Sequence, residues 1–237
     1  MKLGINQPYF FPYLGYFDLI NVVDHFVVYD SVQYMKYGWI NRNRILKATG
    51  GWQYVTVPVD KSSFHDSYRT PIMDVKICAP EDWQGLIIRQ LDHYRRRAPY
   101  FSETVSLVKS CLDSEERSIA RLNVSILEKV CNALDVDFNY SFSSEMDLTP
   151  DPSLKKLDRA AAIYESLGAS KYVNLPGGRD LYSEQPFRER GMEVEFRNLP
   201  ALEYSCSGYE FIPNLSIIDV MMWNAPEEVK EHLEKHR

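Results

Sequence analysis

A chain of 237 residues with 45% hydrophobic and 25% charged residues has the composition of a globular protein able to bury a sizeable core. Its net charge of −6 argues against a surface built throughout for non-specific contact with nucleic acid or an acidic membrane. There is no signal-peptide pattern and no apolar run near the roughly 20 residues of a membrane span. Cys78, Cys111, Cys131 and Cys206 lack metal or disulfide spacing, so free thiols in a cytoplasmic setting are expected. A local basic cleft stays open, with Lys36, Arg42, Arg44 and Lys47 as its candidates.

In chain order, Leu3–Ile5 reads as a strand. It runs into a segment rich in Pro and aromatics that turns at Gly15 and opens a helix. His25–Tyr29 is a second strand ending on Asp30. Strand, turn, helix, strand is the nucleotide-handling half of a Rossmann-like, doubly wound α/β domain with a mainly parallel sheet flanked by helices. Trp52–Val59 and Ile72–Ile77 read as further strands around a polar loop, Lys61–Tyr68. Pro80 opens a helix that closes on Arg95–Arg97, and residues 99–135 are helical, with Ser114 as an N-cap ahead of an apolar stripe from Ile119 to Leu134. The span from about 81 to 135 is therefore a helical insertion in a single domain covering residues 1–237. Phe138–Phe142 is a strand, and Asp151-Pro-Ser153 introduces a helix that Gly168 ends. Lys171–Asn174 is a strand, Leu181–Arg190 a helix and Met192–Phe196 a strand; helices over Leu215–Trp223 and Pro226–His236 finish the chain.

Chemistry is expected where strands end, because doubly wound proteins bind ligands at the carboxyl edge of the sheet. The turn after the first strand supplies Gln7, Tyr9, Tyr13, Gly15 and Tyr16. A glycine at a helix start lets backbone approach an anionic group. After the second strand come Asp30, Lys36, Trp39, Asn41, Arg42, Asn43 and Arg44, with arginines suited to phosphate and Trp39 to stacking on a sugar or base. Asn174, Gly177, Gly178 and Tyr182 surround a diglycine turn. A positive φ accounts for both glycines there, and a backbone nest for an anion is the functional alternative. Ser216 is placed to cap a late helix and face a phosphate, with Asp219 one turn on. Asp30 or His93 is the expected base and Arg42 the donor to developing negative charge. The histidines do not cluster and no metal site is read.

The segments QPYFFPYLGYFDLI, DSVQYMKYGWINRNRI, YVNLPGGRDLY and FIPNLSIIDVMMWN, in this order, resemble the WbqC-like family, found among bacterial O-antigen and polysaccharide genes. The resemblance implies a transferase that attaches an aminoacyl group, glycine for example, to the amino group of a nucleotide-linked amino sugar. The donor is an adenylate made in place, an aminoacyl-tRNA or a thioester. The opening segment is also similar to HIGH-type nucleotidylyltransferases and pantothenate synthetases, whose two histidines flank a glycine and bind a nucleotide triphosphate. That similarity implies ATP, with Mg2+. Here the tetrad is Tyr13-Leu14-Gly15-Tyr16, and a tyrosine hydroxyl cannot supply histidine's positive charge. The alternatives are a non-catalytic nucleotide-sugar binding protein on the same scaffold, or a structural partner of a synthase.

Overall fold

A computed structural model describes residues 1–64, 70–78, 82–147, 156–178 and 185–237. Five short strands form one sheet: β1 (Lys2–Asn6), β2 (His25–Val28), β5 (Tyr140–Phe142), β6 (Lys171–Asn174) and β7 (Val194–Phe196). Their spatial order is β5-β2-β1-β6-β7, and every pairing is parallel. Numbered within the sheet alone, that is 3-2-1-4-5, the order of a doubly wound α/β domain. The chain leaves β1 toward one side for β2 and β5, and returns on the other side for β6 and β7. The boundary between β1 and β6 is therefore the topological switch point.

Both faces of the sheet are covered, as parallel strands require. Leu3, Ile5, Val27 and Tyr172 point to one face and pack against α5 (Lys156–Ser166) and α6 (Gln185–Arg188) through Ala160, Ile163, Tyr164 and Phe187. Phe26, Val28 and Val173 point to the other face, toward α1 (Leu14–Val22), α4 (Ile119–Ala133), α7 (Ile217–Trp223) and α8 (Pro226–Lys235). Gly4 faces that second layer, where a Cβ would stand 3.2 Å from the Phe26 ring.

Helix α5 ends in a Schellman motif. The Ala169 N–H donates to the Tyr164 carbonyl and the Gly168 N–H to that of Glu165, with Gly168 at φ 59°. Gly168→Ala is expected to lower stability by about 1 kcal/mol, because a left-handed residue with a Cβ crowds its own carbonyl. Urea unfolding measures it.

Between β2 and β5 the chain builds what does not belong to the sheet. β3 (Arg42–Leu46) and β4 (Trp52–Thr56) form an antiparallel hairpin of their own, closed by Gly50 and Gly51 at positive φ. The Arg-Asn-Arg run is therefore a strand, where a polar segment was expected. Helices α2 (Trp83–Leu91), α3 (Phe101–Leu112) and α4 follow, with α3 packed on α2, α4 and α7.

Two expectations are corrected. Ile72–Ile77 is no strand: Ile72–Asp74 is a single 3-10 turn, and Lys76 and Ile77 make isolated bridges to Ser118 and Val59. Its apolar residues are buried in the main core, where the 3-10 turn packs on α4, so their alternation carries no strand ladder. The helical span 99–135 is broken between α3 and α4, and the cap is Ser118, whose hydroxyl accepts from the Arg121 N–H, instead of Ser114. Ser114 accepts from the Glu116 N–H at 3.1 Å, and the Glu116 carboxylate accepts from the amides of Arg117 and Ser118. Glu116 thus shapes the loop ahead of α4.

Candidate functional site

β1 and β6 both end in asparagine, and each side chain folds back to accept from the next backbone N–H: Gln7 to Asn6 Oδ1 and Leu175 to Asn174 Oδ1, both at 2.8 Å. Beyond these ends lies a cavity of about 360 Å³. Its walls are the bend after β1, Leu175–Gly177 after β6, the segment 197–215 after β7, and Trp39 with Arg44 from the hairpin side. The switch point of the sheet thus opens directly into it.

The bend is held by side chains from four elements. Phe11 sits at φ 39°, an uncommon conformation for a residue with a bulky side chain. Asn43 Nδ2 donates to the carbonyls of Phe10 and Phe11, both at 3.0 Å, and Ser216 Oγ donates to the Phe11 carbonyl at 2.7 Å. Asn123 Nδ2 donates to the Pro8 and Ile40 carbonyls at 2.8 and 2.7 Å. Tyr16, fully buried, donates its hydroxyl to the Gln7 carbonyl at 2.7 Å. Asn43, Tyr16 and Ser216 therefore fix the backbone shape of the site. Ser216 does cap α7, accepting from the Ile218 N–H. With its own proton spent on Phe11 and no exposure to solvent, it does not face a phosphate as expected.

Gly15 also has a different reason from the one the sequence suggested. A Cβ there would lie 2.5 Å from Tyr13 Cε2, so the missing side chain makes room for the Tyr13 ring against the first turn of α1. This tests the implied triphosphate site. Tyr13 covers the glycine, and Tyr16 is sealed in the core, so the tetrad does not fit a nucleotide triphosphate in the manner of a histidine pair.

The cavity is nevertheless suited to an anionic guest. Among the described residues its lining contains Arg44 and Arg197 and no carboxylate. Arg197 is neutralised by Asp18 of α1, Nε to Oδ2 at 3.1 Å and Nη2 to Oδ1 at 2.8 Å. Arg44 has no such partner: one Nη2 donates weakly to the Asn214 carbonyl at 3.3 Å, and its buried Nε has no hydrogen-bond acceptor. Its guanidinium lies between Trp39 and Trp52, 5.2 and 5.3 Å from their centroids. Helix α1, whose N-cap Tyr13 provides no side-chain cap, directs its amino end at the same space through Leu14 and Gly15. Burial raises the Tyr9 hydroxyl, and raises that of Tyr13 to about 12 with help from Tyr9 and Asp18, so both stay neutral hydrogen-bonding groups. Gly177 borders the cavity without a positive φ, and a Cβ there would meet nothing within 4 Å. The turn needs no glycine for its conformation at that residue; glycine leaves the space open.

Behind the wall stands Asp219, fully buried. It accepts from Tyr94 Oη at 2.5 Å, from Tyr204 Oη at 2.8 Å and from the Leu46 N–H at 3.4 Å. Burial lifts its carboxyl above the usual 3.8, and the donors from Tyr94, Tyr204 and Leu46 offset part of that. Tyr204, which lines the cavity, is thus hydrogen-bonded to the buried carboxylate behind it.

The three residues expected to carry catalysis lie elsewhere. Asp30 is buried and fully engaged, accepting from Ser143 Oγ, from the Ser144 N–H and from Ser144 Oγ at 3.0, 3.0 and 2.6 Å. It ties the end of β2 to the turn after β5. Arg42 donates to the carbonyls of Gly38 and Tyr37 at 3.4 and 2.5 Å and stacks 4.0 Å over Tyr54. His93 holds the Gln90 carbonyl through Nδ1 at 2.9 Å, with its ring 4.1 Å from that of Tyr94. None of the three borders the cavity, nor do Gln7, Lys36, Asn41 or Asn174. Asn41 joins Tyr34 Oη to the Val57 carbonyl, and Lys36 lies exposed over Tyr37. Tyr182 lies outside the described residues.

His93 makes its own prediction. Burial holds its imidazole below the usual 6.5, so the fold favours the neutral ring. That contribution to stability is present above the unfolded value and is lost as pH falls through 6.5 to the lower folded value. The unfolding temperature is expected to drop over that range, and His93→Gln to flatten the drop.

Sequence reasoning missed Arg197, Tyr204 and the rest of the segment 197–210. The one available signal was position: Arg197 and Asn198 directly follow a strand end.

Among known proteins, the chain matches the WbqC-like protein family over residues 7–231. It is also 31% identical over 235 residues to Uncharacterized protein Rv1507c of Mycobacterium tuberculosis (strain ATCC 25618 / H37Rv), covering 98% of this chain and 97% of that protein. No solved structure matches it. No helix among the described residues is long and apolar enough to cross a membrane. With a family match that spans residues 7–231 of 237, the chain belongs to the WbqC-like protein family.

Proposed function

We propose that the switch-point cavity binds a nucleotide-linked amino sugar, and that the protein transfers an activated aminoacyl group onto that sugar's amino nitrogen. The observation that carries this reading is the Tyr204–Asp219 pair, set in the wall of a cavity whose lining is aromatic and cationic. The resemblance to a family from O-antigen and polysaccharide gene clusters supplies the sugar class. Arg44 and the amino end of α1 hold the phosphate, and the rings of Tyr9, Tyr13 and Trp39 pack on the sugar. The neutral amine attacks the carbonyl carbon of the donor. A C–N bond forms, and the bond from that carbon to its leaving oxygen or sulfur breaks with the electron pair going to the leaving group. The amine proton passes to Tyr204 Oη while the tyrosine proton passes to Asp219. A carboxylate whose pKa is raised by burial is a better acceptor near neutral pH than an exposed one.

The donor arrives already activated, because the Tyr13–Tyr16 tetrad offers no fit for ATP. The protein is incubated with an amino-sugar nucleotide and, separately, glycyl-adenylate, glycyl-tRNA and a glycyl thioester, with product followed by mass. Amide product with one donor is expected. Saturable protection by the sugar nucleotide in a thermal-shift assay, with no product from any donor, establishes the binding-protein reading. No protection at all removes the cavity from both.

A further inference from the structure

The outer face of the β3–β4 hairpin carries an unbroken ladder of rings and cations. Register places Arg44 opposite Tyr54 and Leu46 opposite Trp52, so Arg42, Arg44, Trp52 and Tyr54 share one face. Asn43, Ile45 and Val55 turn inward and are buried. From the cavity outward, Trp39 contacts Arg44 at 5.2 Å, Arg44 contacts Trp52 at 5.3 Å, and Trp52 meets Tyr54 edge-on at 5.0 Å. Arg42 then lies 4.0 Å over Tyr54 and 5.4 Å from Tyr37, which also receives Lys36 at 5.1 Å. Tyr37 is 70% exposed and Trp52 42%.

Such a surface has a chemical meaning. Among the described residues, Lys36, Arg42 and Arg44 meet no carboxylate, in a chain of net charge −6. Large exposed rings spaced with unpaired cations bind flat, negatively charged groups in succession, which is the chemistry of an unpaired nucleic-acid strand: bases stack on rings and guanidinium planes while phosphates meet the cations. A single nucleotide needs one ring and one arginine. This strip offers four rings and three cations, and one end of it, Trp39 and Arg44, is the wall of the cavity. Overall acidity excludes a broad duplex-binding surface but leaves a narrow strip of this kind available.

We propose that this face binds a short unpaired RNA strand, the 3′ end of an aminoacyl-RNA donor, and leads its terminal ester to the cavity. The delivery of an ester rests on the transferase reading above; the binding of unpaired RNA does not. A fluorescein-labelled oligoribonucleotide ending in CCA-3′ is titrated with the full chain at low salt and followed by anisotropy, alongside the same sequence as a blunt duplex. Single-strand binding is expected to exceed duplex binding and to weaken as salt rises. Trp52→Ala and Arg42→Ala are each expected to weaken it about five- to a hundredfold. Trp52→Phe keeps most of it, and all three variants keep thermal protection by the sugar nucleotide.

The proposal falls if the strand does not bind, if duplex binds equally, or if both alanine variants bind like the parent while circular dichroism shows them folded. It falls too if Trp52→Ala spares RNA and abolishes protection by the sugar nucleotide, since the strip then serves that ligand's nucleoside. RNA binding that the variants weaken, in a protein that no sugar nucleotide protects, upholds the strip and overturns the cavity reading alone.

Discussion

Arg197→Met is expected to destabilise the fold by about 3–5 kcal/mol, because it strands a buried carboxylate. Asp18 is 0% exposed, in the middle of α1, and the Arg197 guanidinium grips both of its oxygens. The same guanidinium lies 3.7 Å from Glu195 and donates to the His236 carbonyl. One side chain thus fastens the end of β7 to α1 and to the end of α8. Removing it leaves Asp18 without compensation and releases the wall of the cavity together with the C-terminal helix. Arg197→Lys keeps the charge but loses the two-pronged geometry and recovers only part of the loss. The double variant Asp18→Leu with Arg197→Met is expected to recover much of it, since no buried charge is left unpaired. Urea unfolding of the four proteins in this cycle measures the coupling. A single Arg197→Met variant as stable as the parent removes this tie from the account of how the site is held.

The first strand-helix-strand unit of the fold was legible because its signals are local. Leu3 and Ile5, then the apolar run from His25, read as parallel strands, and Gly15 and Asp30 punctuate them as turns should. Three features were out of reach, each for a physical reason. Asp30 looks like a catalytic acid at a strand end, but its partners Ser143 and Ser144 lie 113 and 114 residues away, and nothing near Asp30 announces them. Gly15 signals a close approach without saying of what, and the approaching group is the ring of Tyr13, two residues before it. The segment 197–210 has no repeat, motif or periodicity; it gains its place because β7 lies beside β6, which borders the switch point. The hairpin was half legible. Trp52–Thr56 has strand composition, whereas Arg42–Leu46 alternates charged and buried residues in a way that local reading takes for a solvated surface until its partner strand is known.

Tyr204→Phe is expected to lower kcat for transfer by about a hundredfold or more, with KM for the sugar nucleotide unchanged. The ring stays in the cavity wall and keeps its edge contact with Phe211, 5.0 Å away, so packing is preserved and only the hydroxyl goes. Asp219 is then cut off from the cavity while Tyr94 and the Leu46 N–H still hold it. The pH profile separates this role from a structural one. Burial raises the Asp219 carboxyl above 3.8, so the protonated form is the one the fold tolerates better. Its favourable contribution to stability is present below the unfolded value and lost as pH rises through the raised folded value. Rate runs the opposite way: the acceptor must be ionised, so kcat climbs with pH through the raised value, while stability declines over the same interval. A purely structural tyrosine would move stability and leave the shape of the rate profile intact. Tyr204→Phe is expected to abolish the rising limb instead, and Asp219→Asn to abolish it as well. A Tyr204→Phe enzyme that keeps both the parental kcat and its rising limb would place the proton acceptor elsewhere in the cavity and leave Asp219 as a buried strut between two tyrosines.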